Sequence, residues 1–455
     1  MIYSIGKERI VIKRTVNVDF SKKIGKIKPI NGLNNGPRFG IDLETDFTEQ
    51  YKEIHPPIVR VSAVEAPAAS SRYLDLHCIF PDMELDERFE ASYNFAPTDR
   101  YLSSIKECGA EIFLRLGESP EPYEVKRYTR TPHDSGKVAR IFERIIAHYN
   151  KGWANGFKYN IKYVEIMCDV DTSSGWCGTP KEYFELYATV ASHLKQTYPK
   201  LKIGAYSAGG FASLNHYDAS AEVKSYVNFL DAFLDYITRN NPAPLDFLTW
   251  KCYAESPEEV SLHSNYAKSY LTQYGLKKTQ SIISEFNLLG TEDGAHLDRK
   301  YPASLARALI IAEKSNVDMM FYSHLDPASH WNALYSLDDR RDKHLYSAYH
   351  VMTAFGTLAS LGNVVDTTED YRTEIYSLAT VDANYGALVF STADYSGIVE
   401  INLSGREFTS YSIRGVIGGG DRGCGFFTEE RGLPLRNGSV TLRVGKNEVY
   451  FLTFS

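Results

Sequence analysis

The chain has 455 residues, 43% of them hydrophobic, and a formal net charge of −7. Its Lys and Arg residues are scattered rather than blocked, which leaves no electrostatic footprint for nucleic acid or an anionic membrane surface, and no stretch is long and apolar enough to span a bilayer. The length exceeds one ordinary domain and predicts a large core with a smaller second domain.

The N-terminus, Met1 to Ile10, carries charges where a secretory apolar region would need none, so a cytoplasmic protein is expected. From Arg9 to Val18 apolar and polar residues alternate without a helix signal. Residues 1–20 are therefore expected to supply strand to a sheet formed later in the chain.

Between residues 21 and 357 short β-rich runs alternate with longer amphipathic segments. The runs are Ile27 to Leu33, Ile58 to Ala63, Ala110 to Leu116, Lys162 to Asp169, Lys202 to Tyr206, Asp246 to Tyr253, Gln280 to Phe286 and Asp318 to Leu325. Ser135 to Asn150 has apolar positions at period 3.6, Lys181 to Thr197 follows a Thr179-Pro180 start signal, and Ala303 to Lys314 is rich in Ala, Leu and Ile. Eight such units predict an α/β fold, a (β/α)8 TIM barrel. An open doubly wound sheet would need an early Gly-rich phosphate turn, and Gly32-x-x-x-Gly36 lacks its spacing.

From residue 358 to 455 the texture changes to short alternating strands broken by Gly, Asn and Asp, as in Gly386 to Ser391, Gly397 to Leu403, Ser439 to Val444 and Glu448 to Phe454. This predicts an accessory antiparallel β-sandwich, with residues 1–20 joining it and Gly418 to Gly425 as a flexible loop.

Two apolar runs end in carboxylates, Asp169 and Glu285. A residue at the C-terminal end of a barrel strand points into the mouth where such folds keep their chemistry. Two acids at one mouth fit glycoside cleavage, with retention if the carboxyl groups stand about 5 to 5.5 Å apart and inversion if the gap is wider. For either acid alone an ion pair with arginine or a helix cap is the simpler reading; for both together it is not. The 32 tyrosines and 23 phenylalanines are compatible with sugar binding, although core packing accounts for any single ring.

Several strings resemble family 39 of the glycoside hydrolases, the β-xylosidases and α-L-iduronidases: Ile30-Asn31-Gly32-Leu33-Asn34-Asn35-Gly36-Pro37, Val59-Arg60-Val61, Leu114 to Ser119, Tyr149 to Phe157, Tyr183 to Tyr187 and Ser284-Glu285-Phe286-Asn287. The resemblance implies a (β/α)8 barrel with a β-sandwich, a carbohydrate substrate and a retaining mechanism. It gives Glu285 the nucleophile's role, with Arg60 and Tyr253 at positions that hydrogen-bond that carboxylate and keep it ionised.

The family's fourth strand ends Trp-Glu-Ile-Trp-Asn-Glu-Pro, whereas this chain has Val164-Glu165-Ile166-Met167-Cys168-Asp169-Val170. The acid/base thus falls on Asp169, shorter by one carbon–carbon bond of about 1.5 Å, and Cys168 stands where an Asn would hold the sugar. Ser62, Ala63 and Lys251 also replace residues of the family pattern. Lys251, ending the sixth run, is read either as the partner of a protein acid or as a contact for a carboxylate or phosphate on the substrate.

Glu118 ends the third run and is assigned a sugar contact; His324, His330 and Trp331 follow the eighth and are assigned to binding; Arg115 is expected in an ion pair. The cysteines Cys78, Cys108, Cys168, Cys177, Cys252 and Cys424 show neither C-x-x-C nor a Cys/His metal spacing and are read as free thiols. No metal or cofactor is called for, and there is no Gly-x-Ser-x-Gly elbow for acyl transfer. Assembly into a homo-oligomer stays open. The expected function is exo-acting, retaining hydrolysis of a small glycoside or oligosaccharide, xyloside-like or containing uronic acid. The alternative is a catalytically silent carbohydrate-binding or regulatory protein on a degraded glycosidase scaffold.

Overall fold

The computed structural model describes residues 13–40, 42–62, 73–210, 220–289, 300–323, 325, 333–338, 340–370, 374–417 and 426–455. Ala63, His324, His330, Trp331, Cys424 and the segment Gly418 to Gly425 lie outside the described residues. The chain divides into two compact units, one of Lys28–Leu289 with Ile311–Lys343, the other of Met1–Ile27, Gly290–Ile310 and His344–Ser455.

The first unit holds a closed barrel of eight parallel strands, Gly32–Asn34, Ile58–Val61, Glu111–Leu116, Tyr163–Ile166, Lys202–Ala208, Phe247–Ala254, Gln280–Leu288 and Met319–Tyr322. Each overlaps one of the eight apolar runs. Parallel strands covered on both faces read as such runs because neither face meets water. Ile58, Phe113, Phe247, Ile282, Met319 and Phe321 fill the interior with Tyr163 packed against them. The barrel is thus a packed core, and polar side chains enter only further along each strand.

The helices that cross between strands begin where side chains offer caps. Asp134 accepts the Lys137 N–H at the start of Ser135–Lys151, and Thr179 and Glu182 form a reciprocal capping box on Pro180–Thr197. Gly152 closes the first of these at φ 78°, a left-handed position suited to glycine.

The second unit is built on one curled, nine-stranded sheet in the order Phe426–Pro434, Ser410–Ile417, Val449–Phe454, Gly386–Thr392, Ile375–Val381, Asn363–Glu369, Lys13–Lys26, Gly397–Ser404 and Ser439–Val444. All pairings are antiparallel except that of Lys13–Lys26 with Gly397–Ser404. Val16, Val18 and Phe20 from the early strand join Leu388, Phe390, Val399, Ile401, Leu452 and Phe454 in its core. No helix among the described residues is long and apolar enough to cross a membrane.

Candidate active site

The side chains at the C-terminal ends of the second, sixth and seventh barrel strands converge with Asp169, three residues beyond the fourth. On the sixth strand Phe247 faces the barrel interior, so the period of two brings Thr249, Lys251 and Tyr253 to the same face. On the seventh, Ile282 faces inward and an unbroken alternation would present Ser284 next and leave Glu285 outside. A register shift between Ile283 and Glu285 breaks the alternation and sets Glu285 opposite Lys251. This bulge re-aims the carboxylate into the mouth.

Glu285 is surrounded by donors. Tyr253 donates its hydroxyl to Oε2 at 2.8 Å, Lys251 Nζ lies 3.4 Å from the same oxygen, and Arg60 Nη1 lies 3.7 Å from Oε1. Burial alone would push this carboxyl up. Lys251, Arg60 and the Tyr253 hydroxyl outweigh it and hold Glu285 below its ordinary range, hence ionised at neutral pH.

Asp169 lies beyond the strand rather than at its last position. The fourth strand ends at Ile166, and Met167 and Asp169 both adopt left-handed conformations, φ 61° and 56°. Backbone hydrogen bonds fix the turn: the Asp169 N–H donates to Tyr206 O at 2.8 Å, and its carbonyl accepts from the Thr172 N–H at 2.9 Å. The side chain meets Lys251, with Nζ 2.7 Å from Oδ1. Burial, opposed by Lys251 and reinforced by the negative Glu285, leaves the Asp169 carboxyl raised above its usual value. Lys251 loses proton affinity to burial, but its two acidic neighbours more than restore it and keep it charged.

Arg60 is fully buried and its shortest bond, 2.6 Å, goes to Glu165 Oε2. Glu165 in turn accepts from the Thr249 hydroxyl at 2.5 Å, and Asn34 Oδ1 accepts from Arg60 Nη1 at 3.1 Å. These residues form the polar layer beneath the mouth. Glu165 escaped the sequence reading, although an acid inside the apolar run Tyr163 to Ile166 was the available signal. Cys168 is buried, its thiol pushed up to about 12 by burial with Asp169 adding to the shift. It is a neutral thiol and no nucleophile.

Glu118 has its partner in His77. Its carboxylate accepts from the His77 backbone N–H at 3.0 Å and pairs with His77 Nδ1 at 2.7 Å. The imidazole stacks on Tyr128 at 3.5 Å between ring centroids. The pair lines a cavity of about 400 Å³ with Phe80, Phe142, Met167 and Trp176. Asp75, His77 and Glu118 offer ligand atoms within 4.8 Å of one another, but Asp75 Oδ1 already accepts from Arg115 at 2.9 Å and from the Ser119 hydroxyl at 2.7 Å. An arriving cation would have to displace a guanidinium and the His77 proton, so these residues fit a metal poorly. The same Arg115–Asp75 contact is the ion pair expected of Arg115.

No family model matches the chain. Solved structures do. A glucosidase from Croceicoccus marinus is similar at TM-score 0.78 and 19% identity over 98% of this chain and 99% of that one. A GH39 β-xylosidase from Caulobacter crescentus gives 0.69 and 14% over 97% and 99%, and a GH51 α-L-arabinofuranosidase from Thermotoga petrophila 0.67 and 12% over 97% and 99%. The chain shares its fold along its length with these glycoside hydrolases.

Proposed function

We propose that the chain is a retaining glycoside hydrolase acting on a small glycoside or oligosaccharide, with Glu285 attacking the anomeric carbon and Asp169 as acid and then base. The observation that carries this reading is the ring of Arg60, Lys251 and Tyr253 around Glu285. A carboxylate held ionised at the end of a barrel strand is prepared to act as a nucleophile. Asp169, with its raised pKa, has the opposite tendency and suits proton transfer.

The shared lysine also bounds the gap between the acids. The Asp169 and Glu285 oxygens nearest Nζ are at most about 6 Å apart, so both acids gather at one ammonium, as joint action on one anomeric centre needs. Lys251 and the aromatic Tyr253 beside the acids favour a sugar whose own charge or hydroxyls can replace those contacts.

The test is incubation with 2-deoxy-2-fluoro glycosyl fluorides of xylose, glucose, arabinose and glucuronic acid, followed by peptide mapping. A glycosyl adduct on Glu285, absent from Glu285→Gln, is expected. A panel with neither turnover nor adduct rejects the enzyme reading. It would leave the second reading, a silent sugar-binding protein, which the 2.7 Å ion pair between Lys251 and Asp169 favours because it neutralises the acid.

A further inference from the structure

Gly117 and Glu118, just past the third barrel strand, and Met167, just past the fourth, line the cavity of about 400 Å³. That volume falls within the roughly 300 to 1,000 Å³ of small-molecule sites. Its walls are apolar, with Phe80, Val138, Phe142 and Leu186 facing it beside Met167. The polar atoms set among them are already bonded. One Glu118 oxygen accepts from the His77 backbone N–H at 3.0 Å and the other pairs with His77 Nδ1 at 2.7 Å, while Trp176 Nε1 donates to Thr179 O at 2.9 Å. A ligand rich in hydroxyls would leave them without partners against these walls, so the occupant has an apolar body.

One side of the cavity differs. Arg127, Arg130 and His133 line it from a single segment, and among the described lining residues Glu118 is the one acid. His77 already matches that acid. Neither guanidinium is in an ion pair among the described residues; Arg130 Nε donates to the carbonyl of Lys126 at 2.6 Å. Two acids next to the segment are engaged elsewhere. Glu121 accepts from the backbone N–H groups of Arg127, Tyr128 and Thr129 at 2.8 to 3.1 Å, and Asp134 caps the helix Ser135–Lys151 through the Lys137 N–H. The Glu121 bonds, with that from the Cys177 N–H to Thr129 O at 2.7 Å, fix the backbone that carries Arg127 and Arg130. The cationic edge is thus organised before any ligand arrives.

We infer that this cavity binds a small organic acid with a ring-bearing apolar body, its carboxylate held by Arg127 and Arg130. A guanidinium meets a carboxylate with paired N–H donors. The rings of Phe80 and Phe142 and the sulfur of Met167 suit an aromatic body better than a sugar or an alkyl chain. The site is assigned from its own walls and does not depend on what Glu285 and Asp169 do.

Calorimetry on the full chain tests it with 2-naphthoate, 2-naphthamide, acetate and octanoate. 2-Naphthoate is expected to bind at least about 10-fold tighter than the amide, which lacks the charge, and than acetate, which lacks the body. It is also expected to bind tighter than octanoate, which lacks the ring. Arg127→Met/Arg130→Met is expected to bring 2-naphthoate to the affinity of its amide; both arginines are exposed, so the fold loses little. Lys200→Met/Lys278→Met removes two exposed charges just before the fifth and seventh barrel strands and is expected to leave the affinity unchanged. No binding of 2-naphthoate, equal affinity for acid and amide, or the same loss in both double variants overturns the inference. Tighter binding of octanoate overturns it as well. So does displacement of 2-naphthoate by xylose or glucose, which would make the cavity a sugar subsite.

Discussion

Arg60 makes its shortest ion pair, 2.6 Å, with the fully buried Glu165, and stands 3.7 Å from Glu285. The arginine therefore supports the nucleophile through a position that Glu165 and Asn34 fix from below. Both members of the Arg60–Glu165 pair have no exposed side-chain surface. Removing one partner strands the other's charge in the core, which costs about 3 to 5 kcal/mol, while replacing both by apolar residues is often close to neutral. Arg60→Met is expected to lose stability by that amount in urea titration, and Arg60→Met/Glu165→Leu to recover most of it. A double variant no better than the single would mean that the pair is not the coupled unit described.

Tyr253→Phe removes the hydroxyl that donates to Glu285 Oε2 at 2.8 Å and changes little else in shape. A hydrogen bond to a charged group contributes roughly 1.5 to 3 kcal/mol, so kcat/KM is expected to drop about 10-fold or more. Because the lost donor favoured the ionised carboxylate, the acid limb of the pH–rate profile should move to higher pH. A loss of rate with no movement of that limb would point to a contact with substrate instead.

The same carboxylate governs acid stability. Glu285 titrates below its ordinary 4.5 in the folded chain. A depressed carboxyl contributes stability that is complete above the unfolded value and is lost as pH falls through the folded one. Melting temperature is therefore expected to decline as pH drops below about 4.5, and to decline less steeply across that window in Glu285→Gln. Parallel curves for the two proteins would remove Glu285 as a source of the acid sensitivity.

Much of this site was readable before any coordinates. Lys251 and Tyr253 fall on one apolar run whose alternation aims them together, Glu285 stands near the end of another, and the barrel itself follows from eight such runs. What escaped was set by backbone detail that side-chain patterning does not encode. Met167 and Asp169 take left-handed conformations that favour glycine, so the run Lys162 to Asp169 ends as a strand at Ile166. The bulge before Glu285 has no compositional mark. The first run, Ile27 to Leu33, contributes only Gly32–Asn34 to the barrel, because Pro29 lacks the N–H that a ladder needs. Glu118 shared a motif with the site strings, yet its partner His77 lies 41 residues away in the chain, beyond the reach of any local pattern.

The strand Lys13–Lys26 sits inside the nine-stranded sheet, hydrogen-bonded on one side to Asn363–Glu369 and on the other to Gly397–Ser404. During synthesis it leaves the ribosome long before either neighbour exists. At translation rates of about 5 to 20 residues per second, it waits roughly 20 to 70 s with both edges unpaired. The early strand is thus a segment that a nascent chain must keep from pairing with other chains, and a natural place for a chaperone to bind during translation.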